Sequence, residues 1–380
     1  MKLTFFSSVL GYHQEGLCNA FYELLGDDFR FVAYGDLPDF RKQAGFQNLA
    51  DVYPYVVKAY TKEGKMVAEN LIITSDVAII GAADNNVIKA CVDNGVQTYL
   101  FSERFLKKGS WRAFIPTTRN KLKARAAGYK QDNFKVLCAS AYLPYDLALC
   151  GWRGKAYKWG YFPDVTRYDV SELMCKKASK NQTVNILWAA RLIDWKHPEK
   201  ALLLAKHLRD NNYDFHLNII GYGELEDYLI KEISNLGLQE QVSFLGKKTA
   251  PEVRIAMENS DIFLMTSDYN EGWGVVVNEA LNSGCIVIAD DRAGSVCYLL
   301  ENGFNGFTYR NDISTLFPVI EKLITDEEFR KPIQNNAYEY MINNASPQVA
   351  AKRFIELCCD GKTFENGVCS EAPIIKSRWF

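Results

Sequence analysis

The chain has 380 residues, which at roughly 150 residues per domain predicts two domains, each large enough for its own core. Apolar residues make up 48% of the chain and charged residues 24%, a balance that excludes intrinsic disorder, collagen-like repeats and a small disulfide scaffold. The net charge of −2 gives no global attraction to nucleic acid, so any basic surface must be local.

The first half of the chain alternates short apolar strands with helix-like segments. Alternation of this kind predicts a parallel sheet covered by helices on both faces, so the predicted class is α/β with a doubly wound sheet. A polar, turn-rich stretch from about 161 to 182 then loses the apolar periodicity and predicts a linker. The predicted strands lie at 2–8, 29–34, 76–82, 97–102 and 134–140, with helix-like segments that include 15–25, 40–65 and 85–94.

The second half repeats the rhythm and predicts a second doubly wound sheet. Three helical stretches follow residue 306, and the last runs from near Pro347 towards Asp360. Two open α/β sheets place the default ligand site in a cleft between them, at the carboxyl ends of the strands. The predicted strands lie at 184–190, 215–221, 241–246, 261–266, 285–290 and 306–309.

Neither the N-terminus nor the cysteines indicate export. The first apolar stretch is interrupted by serines, Gly11 and His13, which predicts a strand rather than a signal-peptide core. No window approaches eighteen consecutive apolar residues, so no membrane-spanning helix is predicted. The 10 cysteines include no C-x-x-C pair, which favours free thiols in the cytosol over disulfides or a zinc site.

Two glutamates flank a Gly-Trp-Gly turn in the segment EGWGVVVNE. Glu271 and Glu279 are eight residues apart, and at about 3.6 residues per turn both carboxylates could point at one polyhydroxylated ligand. Gly272 and Gly274 let the backbone approach a phosphate or a sugar oxygen closely. The alternative is a solvated acidic face, the commoner origin of such a pair in a chain with 46 acidic residues.

Two cations follow the predicted strand 184–190. The guanidinium of Arg191 and the ammonium of Lys196 could bind a diphosphate and neutralise its charge as it leaves, without a metal ion. No D-x-D metal motif is present. The two could instead be ordinary helix-start charges, but cations there oppose the helix dipole, which favours the phosphate interpretation.

These motifs, taken in order, resemble family 4 glycosyltransferases of the GT-B fold, of the bacterial surface or capsular polysaccharide type. AARLIDWKHPEKALLLAKHL resembles the family's G-R-L-x-x-x-K-G helix opening, IIGYGELEDYL its G-x-G turn, and EGWGVVVNE its E-x7-E signature. The resemblance covers roughly residues 184–310, and the joint order and spacing of the motifs make it specific.

The resemblance implies two Rossmann-like domains that face a central cleft. The domain at 1–165 would bind the acceptor and the domain at 183–345 the nucleotide sugar, with the helix and tail at 346–380 packed back on the first. It implies a retaining, metal-independent hexosyltransferase with no cofactor, a UDP-sugar as the first choice of donor, and a hydroxyl acceptor on a lipid-linked or glycan intermediate of surface polysaccharide synthesis.

The resemblance also assigns roles to the motif residues of the second domain. Arg191 and Lys196 would contact the donor diphosphate, Glu279 the ribose hydroxyls and Glu271 the donor sugar. The remaining donor contacts would come from the two glycines of the G-x-G turn and from the amides after Glu271: Gly221, Gly223, Gly272, Trp273, Gly274 and Val275.

The first domain departs from the family pattern at two loops. Where many relatives carry a histidine after a central strand, this chain has Glu103 and Arg104; we predict catalysis or acceptor binding for Glu103, with a salt bridge to a nearby cation as the alternative, and acceptor binding for Arg104. The loop GYHQEG offers Gly11, His13 and Gln14 to the acceptor, although a structural or surface role for His13 is an equal alternative.

The segment 103–130 is locally basic, with nine lysines and arginines, one acid and interleaved aromatic side chains. Such a mixture suits an anionic membrane surface, and RNA fits less well because the net charge is −2. A solvated loop and helix is the alternative. Together with a lipid-linked acceptor, this segment predicts a cytoplasmic protein at the inner face of the membrane and no nucleic-acid partner.

Two other functions remain open at this stage. One is a GT-B nucleotide-sugar epimerase or phosphorylase, and the other is a catalytically idle protein that binds nucleotide sugar. An epimerase consumes no acceptor, and an idle protein binds UDP without releasing it. The presence together of Arg191, Lys196, Glu271 and Glu279 favours an active transferase.

Overall fold

The computed structural model describes residues 1–37, 47–178 and 183–377. The chain divides into two compact units. The first comprises Met1–Asp164 together with Ser346–Phe380, and the second comprises Val165–Ala345.

A seven-stranded parallel sheet forms the middle of the first unit. Its order is β3-β2-β1-β4-β5-β6-β7, so the chain winds outward in both directions from β1. All five predicted strands are confirmed; β3 and β7 were not predicted because three residues are too few for a periodic pattern. The strands are β1 (Leu3–Ser7), β2 (Phe29–Ala33), β3 (Val56–Lys58), β4 (Val77–Ile80), β5 (Gln97–Ser102), β6 (Phe134–Cys138) and β7 (Ala156–Lys158).

Six α-helices accompany this sheet in the described residues. The helix predicted at 40–65 is wrong over 47–61, where the structure has a short turn and β3; residues 38–46 lie outside the described residues. The helix begins instead at Lys62, because Thr61 Oγ1 accepts the N–H of Gly64 at 3.1 Å and caps it. The helices are α1 (Tyr12–Leu25), α2 (Lys62–Thr74), α3 (Asn85–Asp93), α4 (Pro116–Leu122), α5 (Leu143–Leu149) and, after the second unit, α14 (Pro347–Asp360).

Helix α14 and the tail after it complete the first unit. Phe354 on α14 is fully buried, and its ring centroid lies 5.7 Å from that of Phe21 and 4.9 Å from that of Tyr99. The tail then pairs with the outer edge of β7: Lys158 N donates to Ser370 O at 2.8 Å, and Cys369 N donates to Lys158 O at 2.9 Å. The edge strand of the sheet is therefore covered by the tail.

The second unit is built on a six-stranded parallel sheet in the order β10-β9-β8-β11-β12-β13. All six predicted strands are confirmed, because each is a short, mainly apolar segment between helical stretches, the pattern expected of a parallel α/β sheet. The strands are β8 (Val184–Ala189), β9 (Phe215–Ile220), β10 (Val242–Gly246), β11 (Ile262–Met265), β12 (Ile286–Asp290) and β13 (Gly306–Tyr309).

The helices of the second unit begin earlier in the chain than the predicted linker allows. Helix α6 lies inside the stretch 161–182, where Leu173 packs with Tyr338 and Ile342. A single buried leucine among lysines and polar residues gave too weak a pattern to predict this helix. The helices are α6 (Val170–Ala178), α7 (Glu199–Asp210), α8 (Glu226–Asn235), α9 (Ala250–Glu258), α10 (Val276–Asn282), α11 (Val296–Leu299), α12 (Phe317–Thr325) and α13 (Glu327–Asn344).

Candidate functional site

The predicted donor residues of the second unit follow the carboxyl ends of two neighbouring strands. Arg191 and Lys196 come after β8, and Glu271 comes after β11, which is paired with β8. The winding of the sheet reverses between these two strands, and ligands of doubly wound sheets bind at such a reversal.

The two glycines of the G-Y-G turn let the segment after β8 lie directly against the turn after β9. A Cβ on Gly221 would stand 2.1 Å from Ala190 O, and one on Gly223 would stand 2.4 Å from Leu192 O. Leu192 N donates to Tyr222 O at 2.9 Å in the space that the missing side chains leave. The glycines therefore position the backbone on both sides of Arg191.

The backbone around Lys196 is fixed to the end of β11. Trp188 Nε1 donates to Thr266 Oγ1 at 2.8 Å, and that hydroxyl donates to Lys196 O at 2.6 Å. Asp268 N donates to Trp195 O at 3.1 Å. These bonds hold the lysine where its ammonium forms an ion pair with the carboxylate of Glu271. Each of the two paired side chains is only 12% exposed.

Trp195 brings the two predicted diphosphate cations to one ring. The Lys196 ammonium lies 4.5 Å and the Arg191 guanidinium carbon 5.9 Å from its ring centroid. In the part of the chain that the structure describes, exposed Arg191 has no carboxylate partner. Sequence reasoning missed Trp195; its place between two cations in one short turn is the signal that could have identified it.

His197 adopts the left-handed conformation, with φ of 50°, at the position of the glycine in the motif it resembles. A side chain is disfavoured there, and two carboxylates offset the cost. Glu199 Oε1 lies 2.9 Å from Nδ1, and Asp268 Oδ2 lies 3.5 Å from Nε2. Hydrogen bonding to Asp268, then to Glu199, raises the pKa of His197 to about 9.

Asp268 is a second residue that the sequence did not indicate. Burial favours its neutral form, but hydrogen bonds from His197 and Asn270 prevail and lower its pKa to about 2. The imidazolium and the carboxylate are thus both charged at neutral pH. They tie the loop after β8 to the loop after β11 beside the ion pair of Lys196 and Glu271.

Glu279 is a partly buried carboxylate on α10. Burial raises its pKa, and the nearby charge of Arg254 only partly opposes this. Within residues 183–377, no donor reaches its carboxylate; Arg254 Nη1 instead donates to the backbone oxygen of Glu279 at 3.1 Å. A desolvated acceptor without a donor is suited to bind ligand hydroxyls.

The expected geometry linking the two glutamates needs correction. Helix α10 begins only at Val276, so Glu271 lies in the preceding turn and helical periodicity does not relate it to Glu279. The turn itself depends on Gly274, whose φ is 90° and where a Cβ would stand 2.6 Å from Met265 Cε. The backbone N–H groups of Gly272, Gly274 and Val275 donate to no acceptor among the described residues.

Trp273 was predicted to contact the donor through its backbone amide, and its side chain is not available to a ligand. The indole is buried, and its Nε1 donates to Asn278 Oδ1 at 2.9 Å. Only the backbone of Trp273 remains for a donor contact. The ring instead stabilises the start of α10, which is a packing role.

In the first unit, two of the predicted acceptor-side residues line one pocket of about 270 Å³ at the carboxyl ends of β1, β4 and β5. These are Gln14 and Glu103. Gly11 and His13 do not line it: Gly11 is the N-cap of α1, and His13 packs edge-on to Tyr161 at 6.3 Å between ring centroids. The pocket is lined by Ser7, Gln14, Gly81, Ala82, Phe101, Ser102, Glu103, Arg125 and Tyr161.

Glu103 makes the salt bridge that the sequence left as the alternative. Lys107 Nζ lies 2.7 Å from Glu103 Oε2, with each side chain about one third exposed. Such an exposed pair contributes little to stability. Burial, then the charge of Glu103, raises the pKa of the neighbouring Tyr161.

Arg104 was predicted to bind acceptor, and the structure corrects this to a buried ion pair. Its side chain is 0% exposed, and its Nη2 donates to Asp146 Oδ1 at 3.0 Å and to Ser377 Oγ at 2.9 Å. Asp146 also accepts the backbone N–H groups of Phe105 and Leu106, each at 2.9 Å. Arg104 therefore holds the segment after β5 in place.

Arg125 is the cation that does reach the pocket. It donates to Ala83 O at 2.6 Å, to Asn85 Oδ1 at 3.2 Å and to the carbonyl of Gly81. Burial lowers the pKa of this half-buried guanidinium. Arg125 is therefore not one of the surface cations that could contact a membrane. It lines the acceptor-side pocket instead.

Comparisons with known proteins bear on the family and the fold of this chain. Residues 169–340 match the model of the family "Glycosyl transferases group 1". The whole chain aligns with solved GT-B proteins, which identifies its two α/β units as the GT-B fold. One of them is Anabaena HepE in complex with UDP, with a TM-score of 0.65 and 18% identity over 95% of this chain and 100% of that one.

Each of the curated relatives described here matches less than half of this chain. The amylovoran biosynthesis glycosyltransferase AmsK of Erwinia amylovora is 26% identical over 47% of this chain and 45% of its own length. A Campylobacter jejuni protein named as an N-acetylgalactosamine-N,N'-diacetylbacillosaminyl-diphospho-undecaprenol 4-alpha-N-acetylgalactosaminyltransferase is 28% identical over 37% of this chain and 38% of its own. The chain thus spans less than half the length of these relatives.

Proposed function

We propose that this protein is a glycosyltransferase that moves a sugar from a UDP-sugar to a hydroxyl acceptor, with retention and without a metal ion. The observation that carries the proposal is the ion pair of Lys196 and Glu271 at the ends of β8 and β11, beside the guanidinium of Arg191, which has no carboxylate partner among the described residues. This places an ammonium group that could bind phosphate next to a carboxylate that could accept hydrogen bonds from hydroxyl groups.

On the donor side, the diphosphate takes the place of Glu271 as the partner of Lys196. The released carboxylate then accepts hydrogen bonds from the hydroxyls of the sugar, while Arg191 shares the diphosphate charge. Because charge grows on the diphosphate as the glycosidic bond breaks, these cations stabilise the transition state more than the ground state. Glu279 accepts the ribose hydroxyls, which supply the donors that its carboxylate lacks.

UDP is the proposed nucleotide because Anabaena HepE is described in complex with UDP and with UDP-glucose. The acceptor hydroxyl approaches the pocket of the first unit that Gln14 and Glu103 line. A lipid-linked or glycan acceptor is supported by the Campylobacter relative, whose name specifies a diphospho-undecaprenol substrate.

A peripheral contact with an anionic membrane would bring the protein to such an acceptor. Lys107, Lys108 and Arg112 precede α4, next to Trp111 and Phe114, which are 38% and 59% exposed. Exposed aromatic rings beside cations suit the membrane interface. None of the described helices combines the length and apolar character that a membrane crossing requires.

Metal independence is part of the proposal and has a direct test. The described residues contain no group of three or more His, Cys, Asp or Glu side chains placed to hold a metal ion. Turnover is expected to survive EDTA, and activity that EDTA abolishes and Mg²⁺ restores would overturn this part.

The experiment that tests the function is UDP release from a panel of UDP-sugars, with and without membrane lipid extract. Wild type is compared with Lys196→Ala and with Lys206→Ala, a control lysine on the exposed face of α7. Release from one sugar that rises with lipid, falls at least a hundredfold in Lys196→Ala and persists in Lys206→Ala is the expected result. UDP binding without release from any donor would indicate an idle binder, and product formed without acceptor would indicate an epimerase.

A further inference from the structure

A hollow of about 810 Å³ lies on the first unit, away from the site described above. Its walls are the loop before β6 and the loop before β7, so it opens at the amino ends of these strands. The acceptor-side pocket lies at the carboxyl ends of the same sheet. The two cavities therefore lie at opposite ends of the strands of this sheet.

The charge of this hollow is strongly biased. Lys130, Lys135 and Lys155 line it with Arg153, against the single carboxylate of Asp132. In the described ranges, none of the three lysines makes an ion pair. We call these three residues the lysine triad.

Lys135 is the member of the triad that most needs a partner. Its side chain is half-buried, and its ammonium lies 5.2 Å from the ring centroid of Tyr99. Burial lowers the pKa of Lys135, and the charge of Lys155 adds to this effect, whereas Cys358 and Asp132 oppose it. A partly desolvated cation near a second cation is stabilised when a further anion binds beside it.

The wall behind the triad is preformed. Trp152 Nε1 donates to Tyr129 O at 3.1 Å, which joins the two loops. The Tyr129 ring stacks on Phe134 at 4.7 Å between centroids, and Val136 N donates to Lys155 O at 3.0 Å. A ligand would thus meet an ordered surface and would bear little ordering cost.

We propose that the lysine triad binds a phosphate-bearing ligand at a site separate from the donor and acceptor sites. Lysine ammonium groups bind phosphate as point charges, and three lysines line this one hollow. The volume is within the range of small-molecule sites, so a group attached to the phosphate also fits. Two sources share this chemistry: a free phosphate compound and the headgroup of a lipid.

Calorimetric titration with inorganic pyrophosphate tests the proposal. All proteins carry Arg191→Ala and Lys196→Ala, which removes the donor-site cations and makes the result independent of the proposed function. Lys130→Gln, Lys135→Gln and Lys155→Gln are then introduced together. The matched control loses the same charge at exposed positions of the first unit: Lys62→Gln, Lys65→Gln and Lys352→Gln.

The triad variant is expected to bind pyrophosphate at least tenfold more weakly than its parent, and the control within twofold. Equal binding by the triad variant and its parent, or an equal loss in the control, would overturn the proposal. Lys155→Glu alone is a second variant, because Lys155 is exposed and its replacement leaves the packing intact. It is expected to weaken pyrophosphate binding at least threefold, and unchanged binding in a folded Lys155→Glu protein would also contradict the proposal.

Sedimentation with phosphatidylglycerol vesicles distinguishes the two sources once pyrophosphate binding is established. A triad variant that also loses vesicle binding, relative to phosphatidylcholine vesicles and to the control, identifies a lipid headgroup. A triad variant that keeps vesicle binding identifies a free phosphate compound. Both results support a phosphate site.

Discussion

At the scale of single residues, the two glutamates of the donor site are in opposite states. Glu271 already has a cation as its partner, whereas the partly buried carboxylate of Glu279 has no donor in the described part of the chain. The sequence predicted both residues from their spacing. It could not predict this difference, because Lys196 is 75 positions from Glu271 and pairs with it only in the folded protein.

We expect Glu279→Ala to weaken UDP binding by about 1–3 kcal/mol, the cost of leaving ligand hydroxyls without their acceptor. Calorimetric titration with UDP measures the change. Glu240→Ala, which removes an exposed carboxylate elsewhere in the second unit, is the control and should bind UDP as wild type does. Unchanged affinity in Glu279→Ala would contradict the ribose role.

The raised pKa of Glu279 also predicts how the free energy of unfolding depends on pH. A carboxyl group whose pKa is raised by folding binds more protons in the folded state, so the free energy of unfolding falls as pH rises above the ordinary value of 4.5. Glu279→Gln removes this dependence. Urea unfolding at several pH values from 4.5 to 8 should therefore show a smaller decline in the variant than in wild type, and parallel curves would refute the assignment.

His197 also makes stability depend on pH, but here folding stabilises the charged form of the side chain. Its raised pKa means that its stabilising contribution is complete below the ordinary value of 6.5 and is lost as pH rises through about 9. His197→Gly keeps the left-handed backbone but removes the charge. We expect wild type to lose more stability than this variant between pH 6.5 and 9.5 in urea unfolding, and an equal loss in both would contradict the contacts with Asp268 and Glu199.

At the scale of elements, the sequence predicted the strands that apolar runs specify. It missed the short elements that depend on a few tertiary contacts. Every strand with four or more apolar residues was found, since burial on both faces leaves this pattern. Strands β3 and β7 have three residues each, and α6 is held by one leucine against Tyr338 and Ile342. Such elements depend on neighbours that are distant in sequence, and a local pattern does not contain them.

Helix α14 offers a test of how much one element contributes to the first unit. Phe354 is fully buried among the rings of Phe21, Tyr99 and Trp159, so Phe354→Ala should lower the free energy of unfolding by about 3–5 kcal/mol. Phe114→Ala, at an exposed phenylalanine of the same unit, should change it by no more than about 0.5 kcal/mol. Chemical denaturation measures both, and similar small effects would show that α14 packs loosely.

At the scale of the whole molecule, the two units differ in how much the sequence indicates. The second unit carries the ordered motifs, and residues 169–340 match the family model. In the first unit, the acceptor-side residues were predicted from two loops alone. Gln14 and Glu103 line a pocket, whereas Arg104 is buried against Asp146. The basic segment likewise divides into surface cations and the half-buried Arg125, a division that composition cannot reveal.

Membrane association is predicted from that surface. Replacing Lys107, Lys108 and Arg112 with glutamine should reduce co-sedimentation with anionic liposomes by at least fivefold, because each charge contributes on the order of 1 kcal/mol at such a surface. Lys206→Gln, Lys231→Gln and Lys248→Gln, all in the second unit, are the matched control and should sediment as wild type does. If both variants sediment equally, the three cations do not bind the membrane and are only a solvated surface.

The tail that covers β7 also sets the order in which the chain can be completed during synthesis. Residues 346–377 leave the ribosome after the entire second unit, yet Phe354, Cys369 and Ser370 belong to the first. Until they emerge, the N-terminal sheet has an open edge at β7 and an unfilled space beside Phe21, the kind of surface on which other strands add. The first unit therefore cannot be complete before the whole second unit has been synthesised, and nascent chains that stall before residue 346 are the ones we expect to require chaperones.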